Sequence, residues 1–80
     1  MPKKLSPVSY KQPIRIFEAE GFRLVRERGD HMVFTKTGVI RPVVIPKYDT
    51  VPVFIIKNSL RSAGMSRERY FELLRKKPEI

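Results

Sequence analysis

Apolar positions recur at helical spacing at both ends of the chain and alternate in its middle. From Ser9 to Gly21, Tyr10, Ile14 and Phe17 fall on one helical stripe. Ser9 is placed to cap this helix, with Gln12 three positions on as the partner in a capping box. Pro13 falls in the first turn, where a missing N–H costs least, and Gly21 ends the helix. Phe22–Arg28 and His31–Lys36 then read as strands. Between them stands Gly29-Asp30, a dipeptide suited to a type II′ hairpin turn. In the second strand Met32 and Phe34 share one side, and His31, Val33 and Thr35 share the other. Thr37-Gly38 makes a second turn into a third strand, Val39–Ile45, which Pro46 closes. Pro42 inside that strand marks it as an edge, because proline cannot donate to a ladder on both sides.

Helical spacing returns at Ile56, Leu60 and Ala63, with Thr50 as cap, Val51 and Pro52 in the first turn and Gly64 as C-cap. The β-branched and aromatic run Val53–Ile56 competes as a fourth strand, but the run Asn58–Gly64 favours helix. Ser66 caps a third helix, Met65 and Tyr70 match a hydrophobic staple, and Phe71 and Leu74 extend its apolar face. Lys76 and Lys77 sit in its last turn and Pro78 stops it. The order α-β-β-β-α-α predicts an α+β fold, a three-stranded antiparallel sheet with helices packed on one face. That layout is similar to the double-stranded-RNA-binding domain. Residues 1–8 read as a flexible or extended basic arm, and residues 9–77 as a single domain.

Charge changes the picture. In 80 residues, 17 Lys and Arg stand against 8 Asp and Glu, a net +9. Such a balance points to a polyanionic partner, nucleic acid first and an acidic protein second. The length excludes barrels and dinucleotide-binding folds. Zero cysteines exclude disulfides and thiolate metal sites. The start carries no apolar run of a signal peptide, and the longest apolar stretch, around Val51–Ile56, is too short to span a bilayer. A soluble cytoplasmic protein is the expectation.

His31 is the one histidine, at a turn-to-strand junction. An imidazole is suited to proton transfer at neutral pH. No second His or carboxylate stands at ligand spacing from it, so no metal is expected. No serine has a neighbouring base, and no glycine loop cradles phosphate. Glu68 and Glu72 lie among Arg67, Arg69 and Arg75, which reads as a solvated, salt-bridged helix face. Arg23, Arg26 and Arg28 alternate imperfectly along the first strand, and Lys36, Arg41 and Lys47 continue the basic character of the sheet. Cations on strands with Phe22 and Tyr48 nearby suit a nucleic-acid surface.

The stretch Gly21-Phe22-Arg23-Leu24-Val25-Arg26-Glu27-Arg28-Gly29-Asp30-His31-Met32-Val33-Phe34 resembles the HicA (YcfA-like) toxin family. So do Val44-Ile45-Pro46, Leu60-Arg61-Ser62-Ala63-Gly64-Met65-Ser66 and Phe71-Glu72-Leu73-Leu74, and together these cover roughly residues 9–75. The resemblance implies a toxin of a type II toxin–antitoxin pair, an endoribonuclease that cleaves mRNA and is blocked by a HicB antitoxin covering the active histidine. Carried over, His31 is catalytic, Gly29 the turn glycine and Gly21 the helix–strand glycine. The chain departs from the family at Asp30, usually Ser, and near Tyr48, where another His is frequent. It departs again at Val51-Pro52-Val53-Phe54, where Pro-Gly-Thr is frequent.

The chemistry this implies is metal-independent and needs no cofactor. The RNA 2′-OH serves as nucleophile, and the protein supplies proton transfer and cations. His31 takes one proton-transfer role, and Lys36, Lys47, Tyr48 or water the other. Arg26, Arg28, Lys36 and Lys47 are the candidates for holding RNA. Asp30 either accepts a hydrogen bond from His31 or caps the turn. Two rival functions remain, a non-catalytic RNA-binding module and a protein-interaction domain whose open sheet face is covered by an acidic partner.

Overall fold

The computed structural model describes residues 4–75, through which six elements run. They are α1 (Lys11–Ala19), β1 (Arg23–Arg28), β2 (His31–Thr35), β3 (Val43–Pro46), α2 (Val53–Ala63) and α3 (Arg67–Arg75). The expectations for Met1–Lys3, and for Lys76, Lys77 and Pro78, lie outside the described residues. The α-β-β-β-α-α order is the one the periodicity predicts, and the run Val53–Ile56 is helix rather than a fourth strand.

The sheet is antiparallel throughout, in the order β1-β2-β3. Its hairpin turns on Gly29, whose φ is 59°, while Asp30 keeps a negative φ, the sign pattern of a II′ turn. Thr37-Gly38 makes the second turn, with Gly38 at φ 89° and the Val39 N–H donating to the Lys36 carbonyl at 3.0 Å. The third strand is shorter than expected. Val39–Pro42 forms a loop in which Ile40 is 98% exposed, and pairing begins only at Val43, after the residue that has no N–H to offer.

Helix boundaries also shift by local chemistry. Gln12 makes no capping box. Its amide donates to the Tyr70 hydroxyl at 3.3 Å, while the Ser9 hydroxyl accepts from the Lys11 N–H. Thr50 does not cap α2, which starts after Pro52, and Val51 instead bridges Val8 in an antiparallel pair. Gly64, at φ 68°, closes α2 as expected, and the Met65 N–H donates back to the Leu60 carbonyl at 2.9 Å. The Ser66 hydroxyl caps α3 by accepting from the Arg69 N–H at 3.0 Å.

The core lies between the sheet and the helices. Met32, Phe34, Val43 and Ile45 point into it from the sheet, and Ile16, Phe17, Ile56, Leu60, Tyr70 and Leu73 from the helices. Each such side chain contributes about 1.5–3 kcal/mol when fully buried. Ile16 rather than Ile14 completes the α1 stripe, and Phe71 and Leu74 are only half-buried. Phe17 and Phe22 meet edge to face at 5.5 Å, which locks the α1–β1 junction around Gly21. The helical layer is offset toward β3, against which α2 packs. All six residues of β1 are exposed as a result.

Candidate active site

His31 is the first residue of β2, directly opposite Arg28 on β1 and Pro46 on β3. Its side chain is 54% exposed on the face away from the helices, the side the alternation with Met32 and Phe34 assigns it. Its Nδ1 lies 2.9 Å from Oδ1 of Asp30. Donation from Nδ1 to that carboxylate leaves Nε2 free to exchange a proton with a ligand. The turn that presents the pair is tied down from the far side of the sheet, where the Lys47 N–H donates to the Asp30 carbonyl at 2.6 Å.

The arginines reach the same face through an irregularity. Arg28 pairs with His31 and Arg26 with Val33, but Arg23 pairs with Thr35, because the register shifts between Leu24 and Arg26. Val25 is therefore the extra residue of a β-bulge. Directly paired residues share a face, so Arg23, Arg26 and Arg28 all lie on the side of His31, Val33 and Thr35. Without the bulge, the odd spacing would put Arg23 on the opposite side from the other two. Glu27, the carboxylate within β1, pairs with Met32 and so belongs to the helix side.

Lys47 and Lys36 occupy other surroundings. The Lys47 ammonium is held by Glu27, whose hydrogen bond pushes its pKa above the ordinary lysine value. A more basic ammonium is a weaker acid, so the contact opposes a proton-donor role for Lys47. Lys36 stands five residues beyond His31, roughly 16 Å at the rise of a strand. Its ammonium lies 5.7 Å from the centre of the Phe22 ring, a cation–π contact at the far end of the sheet. Tyr48 is exposed and lies two residues past Pro46, at the His31 end. Its N–H donates to the Pro46 carbonyl at 2.8 Å, and its own carbonyl accepts from Tyr10. Among the described residues, no group of three or more His, Cys, Asp or Glu is arranged to hold a metal ion.

The structure thus gathers His31, Asp30, Arg26 and Arg28, and leaves Lys36 and Lys47 to other partners. Sequence reasoning missed the Glu27–Lys47 pair, whose members stand 20 residues apart and meet only once the sheet's register is known. Nothing here belongs to a membrane-spanning helix, since no helix among the described residues is long and apolar enough to cross a bilayer.

Comparison with curated proteins gives no match. A family model described as the HicA toxin of bacterial toxin-antitoxin matches residues 10–65, from the N-cap of α1 to the residue after the α2 C-cap. The match spans the hairpin, His31 and all three arginines of β1, and covers well over half of the chain. The chain belongs to the HicA toxin family of bacterial toxin–antitoxin systems.

Proposed function

We propose that this toxin is a metal-independent endoribonuclease, an mRNA interferase, with His31 as its proton-transfer residue. The observation that carries this is the placement of the His31–Asp30 pair on an open, basic sheet face beside Arg26 and Arg28. In the reaction the RNA 2′-OH attacks the adjacent phosphorus. A 2′-O–P bond forms, the P–O5′ bond breaks, and the products carry a 2′,3′-cyclic phosphate and a 5′-hydroxyl. One proton leaves the 2′-OH and one reaches the departing 5′-oxygen. Nε2 of His31 performs one of these transfers, and Tyr48 or water the other. Arg28, opposite His31, holds the phosphate and stabilises the charge that builds on it, and Arg26 binds the RNA backbone beside it. Lys36 and Lys47 contribute longer-range attraction from their places beside Phe22 and Glu27.

A HicB-like antitoxin neutralises the enzyme by covering the open face and His31. An acidic partner fits the net charge of +9. The protein acts in the cytoplasm, where its mRNA substrate is.

The test is cleavage of single-stranded RNA by the purified chain in EDTA, beside His31→Ala. Cleavage to 2′,3′-cyclic ends is expected, falling about 10²–10⁴-fold in the variant. Products with 3′-hydroxyl ends, or equal cleavage by the variant, would overturn the mechanism. RNA binding by both with cleavage by neither would establish a non-catalytic RNA-binding module instead.

A further inference from the structure

Three features of β1, a strand that gives no residue to the buried core, stand out. First, the Val25 bulge brings Arg23 into file with Arg26 and Arg28 on the open face. Successive members of the file are about 6.6 Å apart along the strand, comparable to the separation of successive phosphates on an extended nucleic-acid strand. Second, none of the three arginines has a carboxylate partner among the described residues, although Glu27 lies in the same strand. Third, all three are exposed, on a strand exposed along its whole length. Beside the file, the same face offers Val33 and the 43% exposed Val44, which pair directly with each other. These side chains present methyl groups and no hydrogen-bonding atoms, a floor on which a base can rest but not be read.

We propose that β1 is a phosphate track for one single strand of RNA, with Arg28, Arg26 and Arg23 engaging successive phosphates leading away from the bond cleaved at His31. The assignment rests on the nuclease reading above and adds Arg23 to the binding residues, with Val25 as the residue that sets their alignment. A single file of cations matches one backbone. A duplex would present two strands across a groove, a shape that a single file does not match. The apolar floor makes binding tolerant of base identity.

The experiment uses His31→Ala protein, so that binding is read without cleavage, with a labelled oligouridylate probe titrated at several salt concentrations. Arg23→Gln should weaken binding about five- to tenfold, as loss of one hydrogen bond from an exposed side chain does. It should also reduce the slope of log affinity against log salt by about 0.7. Arg15→Gln, exposed on α1, is the control and should change neither. If Arg23→Gln matches the control while the parent binds, the track is overturned and the nuclease reading stands. The arginines then only guard a sheet edge. Tighter binding of the same sequence as a duplex overturns the single-strand assignment. Intact RNA binding with lost affinity for poly-glutamate overturns it in favour of an acidic protein partner. No RNA binding by the parent defeats both the track and the nuclease reading.

Discussion

Nδ1 of His31 stands 2.9 Å from Oδ1 of Asp30, its predecessor in the hairpin turn. Adjacent residues in a regular strand point to opposite faces and cannot meet this way. They meet here because Gly29, at φ 59°, turns the chain just before Asp30. The carboxylate engages Nδ1 and leaves Nε2 as the nitrogen open to solvent, the one the proposed proton transfer uses.

Asp30→Ala should therefore lower kcat for RNA cleavage about five- to tenfold, the value of about 1 kcal/mol of hydrogen bonding, with KM little changed. Asp30→Ser, which restores the residue usual in the family, should retain most of the rate, since a hydroxyl oxygen also accepts from Nδ1. Steady-state kinetics on one RNA substrate checks both variants. Equal rates for Asp30→Ala and the parent would mean that the contact does not orient the ring.

Gly21 joins α1 to β1 at φ 101°, and a Cβ there would come within 3.4 Å of the Lys36 side chain. Its N–H donates to the Glu18 carbonyl, and the next N–H, of Phe22, to the Phe17 carbonyl at 2.9 Å. Gly21→Ala should destabilise the fold by about 1–2 kcal/mol, chiefly from the left-handed backbone, since the end of the lysine chain can move aside. Each kcal/mol corresponds to a melting temperature lowered by about 4–8 °C in a domain of this size. An unchanged urea midpoint would contradict this account of the junction.

Burial raises the pKa of the Tyr70 phenol above its ordinary 10.0, with the Gln12 hydrogen bond opposing. Below pH 10 the phenol is protonated in both folded and unfolded chains, and the associated stability is fully present. Between that pH and the higher folded value the unfolded chain ionises first, so stability falls as pH rises through the window. Urea midpoints followed from neutral to alkaline pH, with tyrosinate absorbance, should show this decline. Tyr70→Phe should be less stable at neutral pH, by about 0.5–1.5 kcal/mol for the lost hydrogen bond, yet flatter across the alkaline window. A parallel decline in both proteins would remove Tyr70 as its cause.

The hydrophobic pattern alone determined the six elements and their order, because periods of 2 and 3.6 are properties of local backbone geometry. It placed Met32 and Phe34 inward and His31 outward, and the glycines marked the turns at Gly29, Gly38 and Gly64. His31 was legible as the candidate for chemistry because it is the one histidine and stands inside a recognisable motif. Helix starts were less legible. Ser9 and Thr50 are good caps by type, but Gln12 is drawn to Tyr70 and Val51 to Val8, contacts between residues far apart in the chain. Tertiary structure alone decided the composition of the site. The spacing of Arg23, Arg26 and Arg28 looks imperfect until the register of β1 on β2 makes Val25 a bulge and puts all three on one face. Lys47 looks like a free cation until the sheet brings Glu27 to it. Register and cross-strand pairing depend on which residues of one strand meet which of another, and side-chain period carries no record of an inserted residue until the partner strand is in place.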